Sequence, residues 1–353
     1  MNYNKKIKIG KKTIQDGKSF IVAEVSANHG GSLTELKKLL QAIKKAGADA
    51  AKIQVYQANT ITLNSKKKDF LIDKQNTWSS YKNLYSLYLK AQTPYSWLEK
   101  IFNYAQKIDL LVFASVFDYS GLKLLEKFNC PAYKIASPEI TDVNLISKVA
   151  KTKKPIIVSN GLANQKDLEL CVRTIKKTGN KNLVLLKCTS SYPAPINEIN
   201  LATIHDLKKK YKCLVGYSDH TLGTNIPIHA ASIGASVIEK HVKLSNKNKS
   251  VDDFFSITSN ELAQMCKTIK LNETANGKIN YQISKSSKKN LNGRRSLYVS
   301  KDIKIGERFS LENISSFRPT YGLHPKFLNN FLGKKSIINL NKGDRLSWKA
   351  LKK

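Results

Sequence analysis

Two short segments of this sequence carry side chains with metal chemistry in reach. Ser218-Asp219-His220 and Glu239-Lys240-His241 each close a short apolar run, and a helix-like stretch near 225–233 separates them. Neighbouring parallel strands lie about 4.8 Å apart, so imidazoles at matching depth on two such strands could share one divalent ion. The alternative is two histidines, each satisfied by local hydrogen bonds. A second group of residues suggests an anion site. Lys52 and Lys134 sit inside otherwise apolar runs, where an unpaired ammonium is costly. A Schiff base with a carbonyl substrate, an ion pair with a carboxylate, or a bound phosphate would each answer that cost. Gln54, Ser137, Ser159, Ser190 and Ser218 end or follow runs of the same kind; with two lysines they describe a pocket for a phosphorylated anion. Glu24 ends the first run, as an acid/base group, a partner of a substrate hydroxyl, or the counter-ion of Lys52. Glu139 and Tyr192 lie just beyond two further run ends.

The elements that must position these groups follow from periodicity. Strand-like runs occur at 20–25, 50–55, 110–116, 132–137, 155–159, 183–189, 213–218 and 236–241, short and apolar at successive positions, as in strands buried on both faces. Amphipathic helical segments follow nearly every one, at 33–46, 95–108, 119–128, 143–151, 165–178, 202–211, near 225, and 259–271. Eight such units in succession predict a (β/α)₈ TIM barrel, whose reactive groups gather at the carboxyl ends of the strands. The competing doubly wound sheet lacks a Gly-x-Gly-x-x-Gly turn after the first strand. The connection 57–93 is long enough to be an ordered loop that shapes a site. The barrel domain is expected over 1–272, a polar lysine-rich linker over 273–292, and a small module of short strands and turns over 293–353.

Composition narrows the function classes. The chain has 353 residues and 41% hydrophobic content, with no apolar run near the about 18 residues that span a bilayer, so no membrane partner is expected. The amino terminus has no signal-peptide core. The five cysteines, Cys130, Cys171, Cys188, Cys213 and Cys266, fit neither a disulfide framework nor a metal knuckle, and reduced thiols point to a cytoplasmic protein. The net charge of +34 raises the question of nucleic acid. The excess is nearly all lysine, however; arginine, the preferred reader of base edges, occurs only at 173, 294, 295, 308, 318 and 345. No nucleic-acid partner is expected, and the excess would instead draw anionic substrates inward.

Several segments together resemble the sialic acid synthase family, over nearly the whole chain: 21–29 (IVAEVSANH), 46–54 (AGADAAKIQ), 133–139 (YKIASPE), 187–195 (KCTSSYPAP), 218–223 (SDHTLG) and 238–241 (IEKH). The carboxyl-terminal part resembles the antifreeze-like (SAF, β-clip) domain of that family through 293–297 (GRRSL) and 317–319 (FRP). Segments 84–88 (LYSLY) with 91–94 (AQTP), 251–256 (VDDFFS) and 321–326 (YGLHPK) are similar to the branch that makes pseudaminic acid. The resemblance implies condensation of phosphoenolpyruvate with an N-acylated amino-deoxyhexose, here 2,4-diacetamido-2,4,6-trideoxy-L-altrose, and water to give pseudaminate and phosphate. An N-acetylneuraminate or legionaminate synthase is the alternative within the family, and a Schiff-base aldolase using Lys52 or Lys134 the alternative outside it. It further implies that His220 and His241 ligate a divalent ion, manganese by preference over magnesium or cobalt. Lys52, Gln54, Lys134, Ser137, Ser159, Ser190 and Ser218 would hold phosphoenolpyruvate, and Glu24 would direct water. Glu139, Tyr192, Asp252 and Arg318 would line the sugar side, with Arg318 supplied by the partner in a domain-swapped homodimer.

Overall fold

A computed structural model describes residues 2–247 and 249–351. The chain divides into two compact units, Met1–Gly277 and Lys278–Lys353. The first is a closed barrel of eight parallel strands, β1 (Phe20–Glu24), β2 (Ala50–Val55), β3 (Leu111–Val116), β4 (Tyr133–Ile135), β5 (Ile156–Ser159), β6 (Leu183–Cys188), β7 (Leu214–Asp219) and β8 (Val237–Lys243). Each pairs with the next, and β8 closes the ring on β1, with His241 opposite Glu24. The closing register sets the site, because it brings the last strand's histidine beside the first strand's carboxylate. Val, Ile and Leu fill both faces of these strands, and every residue of β1, β5 and β7 is buried.

Helices cover the barrel as the periodicity predicts. In Leu33–Ala46 the buried Leu36, Leu39, Leu40 and Ile43 recur at helical spacing; the Ser32 side chain caps the start by accepting from the Glu35 amide, and Gly47 ends the helix at φ 84°. The final barrel helix, Ser259–Asn276, runs past the expected end at 271. Residues 272–276 are polar but helix-compatible, and the first breaker is Gly277. The first compact unit therefore ends at Gly277 rather than at 272.

One feature has no counterpart in the sequence reading. An antiparallel hairpin, Lys6–Ile9 with Lys12–Gln15, precedes β1 and buries Ile7, Ile9 and Ile14 in the barrel core. The 57–93 connection holds two short helices, Ala58–Ile61 and Leu84–Ala91, and its Leu87 forms a separate apolar cluster with Ala27 and Val251. The second unit pairs Ser296–Val299 antiparallel with Ile314–Phe317 around a core of its own that includes Leu297, Phe309, Ile314 and Phe331. Isolated bridges in that unit, such as Ile303 to Leu340 and Arg308 to Lys335, add to this pairing.

Candidate active site

A cavity of about 410 Å³ opens at the carboxyl ends of the strands. Strand alternation explains its lining. On β2, Lys52 and Gln54 share one face; on β7 and its extension Ser218 and His220 do; on β8 Glu239 and His241 do. Lys134, Ser137, Glu139, Ser159, Tyr192 and Asp252 add further polar groups to the lining. Glu24 lies fully buried behind it, tied to the lining through Gln54 Nε2, which donates to Glu24 Oε1 at 3.2 Å.

The two lysines are ion-paired. Lys52 Nζ lies 2.5 Å from Glu24 Oε2 and 3.6 Å from Glu239 Oε1, and Lys134 Nζ lies 3.1 Å from the same Glu239 oxygen. Lys52 also donates to Ser115 Oγ at 2.9 Å, and Ser218 Oγ to Glu239 Oε1 at 3.0 Å. Burial alone would push the Glu239 carboxyl up, but Lys134 and Lys52 hold it at about 2. Glu24 sits above the usual range, because burial and the neighbouring Glu239 charge outweigh Lys52. Burial lowers Lys134 despite Glu239. Two ammoniums and two carboxylates thus share one dry site in which a proton on either carboxylate leaves net positive charge for an anion.

Next to this network stand the histidines, with ring centroids 5.3 Å apart. His220 Nδ1 donates to the Thr189 carbonyl at 2.9 Å, so Nε2 is its ligating nitrogen. His241 Nδ1 is buried without a hydrogen-bond partner, and burial together with the His220 charge pushes that imidazole toward its neutral, ligating form. Burial lowers His220, but its contacts with Cys188 and the Thr189 carbonyl outweigh burial and push it up, so a divalent ion held by both imidazoles would displace a proton from His220. Among the described residues no group of three or more His, Cys, Asp or Glu side chains could hold a metal, so such an ion would take its other ligands from water or substrate, the mark of an open catalytic site.

An aromatic wall bounds the other side. Tyr192 packs on His220 at 4.5 Å between centroids, on Phe255 at 5.1 Å and on Trp78 at 5.3 Å. Trp78 belongs to the 57–93 connection and donates from Nε1 to the Val251 carbonyl at 2.9 Å, so that connection does shape the site. Asp252 accepts from Ser26 Oγ. Burial pushes the Glu139 carboxyl up to about 7.

Ser190 is outside the cavity lining; its Oγ lies 2.3 Å from where a Cβ on Gly161 would be, with Ser137 Oγ at 2.9 Å from the same point. Only glycine leaves that cradle open. Arg318 lies in the second unit. Glu239, the hub of the charge network, was missed as a site residue. Its period-two spacing from His241 is the signal that places it on the cavity face. Ser115, Cys188, Trp78 and Phe255 carry no comparable local signal.

The polar valences left open concentrate here. Among the described residues six buried side-chain atoms lack a hydrogen-bond partner; one, Glu24 Oε2, is ion-paired with Lys52, and four more belong to Glu139, Ser159, Glu239 and His241. Buried polar atoms are ordinarily satisfied, so this cluster marks where a polar ligand binds.

Comparison with known proteins agrees. The NeuB family profile matches residues 39–281, and the SAF domain profile matches 294–352. The chain is 46% identical over 331 residues to the pseudaminic acid synthase of Campylobacter jejuni strain 81-176, covering 94% of this chain and 96% of that one. It is 36% identical over 326 residues to the N,N'-diacetyllegionaminic acid synthase of Campylobacter jejuni strain NCTC 11168, covering 91% and 97%. Among solved structures, the N-acetylneuraminic acid synthetase of Leptospira borgpetersenii, crystallised with citrate, superposes with a TM-score of 0.72 at 28% identity, covering 82% of this chain and 96% of that one. From the strand ends to the small carboxyl-terminal unit, this chain belongs to the NeuB family and carries a SAF domain.

Proposed function

We propose that this chain is a pseudaminic acid synthase, joining phosphoenolpyruvate to 2,4-diacetamido-2,4,6-trideoxy-L-altrose with release of phosphate. The observation that carries the chemistry is the pairing of two fully buried lysines with unsatisfied Ser159, Glu139 and His241 atoms around one cavity. The higher identity to the pseudaminic than to the legionaminic acid synthase selects the branch.

In this reading Lys52 and Lys134 hold the phosphate and carboxylate of phosphoenolpyruvate, with Gln54, Ser137, Ser159, Ser190 and Ser218 donating the remaining hydrogen bonds. Carbon 3 attacks the aldehyde carbon of the open-chain sugar, forming the new carbon–carbon bond. A divalent ion on His220 and His241, manganese by preference, would supply Lewis acidity at the aldehyde oxygen. Glu24, buried and bonded to Gln54, takes a proton from the water that adds to carbon 2, which balances the proton that the aldehyde oxygen gains on becoming a hydroxyl. The tetrahedral centre then loses phosphate by carbon–oxygen cleavage, leaving a 2-keto acid. Glu139, Tyr192 and Asp252 face the sugar, and the aromatic wall suits its deoxy and acetamido methyl groups. Arg318 completes the sugar side from a partner subunit in a cytoplasmic, domain-swapped homodimer.

Phosphate release measured across N-acylated amino hexoses, with chelator and then with manganese restored, tests this. Turnover should be fastest with the trideoxy-altrose and should vanish on chelation. A faster rate with another hexose would reassign the branch, and full activity in chelator would remove the metal. The Schiff-base alternative draws on the lowered Lys134 ammonium; its ion pair with Glu239 opposes it, and a borohydride-trapped adduct would establish it.

A further inference from the structure

A buried ion pair that the proposed chemistry leaves unused joins the residues immediately before the two histidines. Side chains alternate along a strand. Ser218, His220, Glu239 and His241 line the cavity, whereas Asp219 and Lys240 are absent from that lining and fully buried. They are register partners on β7 and β8, and Lys240 Nζ lies 2.6 Å from Asp219 Oδ2. The carboxylate is fully engaged. Its Oδ1 accepts from the Tyr217 hydroxyl at 2.9 Å and the Thr221 amide at 3.0 Å, and its Oδ2 from Thr221 Oγ1 at 3.1 Å. Lys240 donates in addition to the Thr221 carbonyl. The turn 219–221, with His220 at its centre, is therefore held at both ends by one lysine whose next residue is His241.

A buried ion pair seldom stabilises a fold more than apolar side chains of the same volume would. The two strands are already joined by their backbone ladder. What the pair adds is a cross-strand tie between the residues adjacent to the two imidazoles. Groups behind metal ligands that fix their orientation typically change metal affinity when removed.

We infer that Asp219 and Lys240 are positioning residues that set His220 against His241 and so determine the affinity of this site for a divalent cation. The inference rests on the two-histidine reading proposed above. The test is manganese binding to the full-length protein without substrates, followed by the paramagnetic resonance of free manganese. The double variant Asp219→Asn/Lys240→Met removes the tie without leaving an unpaired buried charge, and keeps the contacts of residue 219 with Tyr217 and Thr221. Its manganese dissociation constant should rise about 10–100-fold, while phosphoenolpyruvate affinity and cooperative unfolding stay as in the unaltered protein. Unchanged manganese affinity in the folded variant overturns the inference, as does an equal loss of phosphoenolpyruvate affinity, which would mean general disorder of the site. Should the double variant not fold, Lys240→Gln, which keeps a single weaker donor, serves with the same two outcomes. His220→Ala should abolish manganese binding. If it binds manganese normally, the two-histidine reading itself falls and the inference with it; if it does not, and the tie variants bind normally, only the inference falls.

Discussion

At the scale of single residues, burial and spatial neighbours, rather than sequence neighbours, set the protonation states. Glu239 and Glu139 both lie at the cavity, yet two lysines hold one carboxyl at about 2 and burial pushes the other up to about 7. Environments that separate the pKa values of like groups are how one site obtains both an acid and a base near neutrality. The raised Glu139 value has a consequence for stability. The folded protein binds that proton more tightly than the unfolded chain, so the contribution is fully present below the ordinary value of 4.5 and is lost as pH rises through about 7. Glu139→Gln removes this slope. Between about pH 4.5 and pH 8 the variant should gain about 1–2 kcal/mol relative to the unaltered protein, read from urea unfolding at several pH values. Parallel pH profiles for the two proteins would show that Glu139 titrates normally.

At the scale of elements, the site depends on how closely β7 approaches its neighbours. Gly216 lies two residues before Ser218. A Cβ there would sit 2.4 Å from the Val237 carbonyl oxygen and 2.7 Å from both Val237 Cβ and a Leu186 methyl. Two of those contacts are with β8, which carries Glu239 and His241. Gly216→Ala should therefore destabilise the fold by about 1–3 kcal/mol, the cost of overpacking a filled core. It should also weaken manganese binding, because β7 and β8 must separate to admit the methyl group. A denaturation midpoint unchanged from that of the unaltered protein would show that the barrel absorbs it elsewhere. The 57–93 connection acts at this scale too: its Trp78 reaches Tyr192 and Phe254, extending the barrel's own side chains into a wall.

At the scale of the whole molecule, the first unit carries every residue proposed for the site except Arg318, which lies in the second. If Arg318 serves the partner's barrel, two inactive variants should complement each other. Arg318→Ala and His220→Ala subunits, mixed and reassociated at random, would place an intact barrel opposite an intact arginine in about a quarter of all sites, since half the dimers are mixed and each holds one complete site. Activity near that fraction supports exchange between subunits; none after verified mixing would mean that the arginine serves its own barrel. The net charge of +34 should also accelerate capture of the anionic substrate, so the on-rate for phosphoenolpyruvate should fall with rising salt.

Much of this was legible in the amino-acid order. Buried parallel strands announce themselves as short apolar runs, so all eight, and the polar groups at their ends, could be found from local pattern. Lysines at 52 and 134 stood out because a charge inside an apolar run needs a partner. Which partner it is could not be read. Glu239 lies far along the chain from both lysines, and only closure of β8 onto β1, with packing across the barrel interior, brings one carboxylate to two ammoniums. The same holds for Trp78 against Tyr192, and for the Asp219–Lys240 tie, which needs the register of two strands separated by a helix. Sequence by itself determined the elements and the chemical types at their ends, because those follow from periodicity and solvation. Tertiary structure decided the pairings, and with them the protonation states, because both depend on distances that no local pattern encodes.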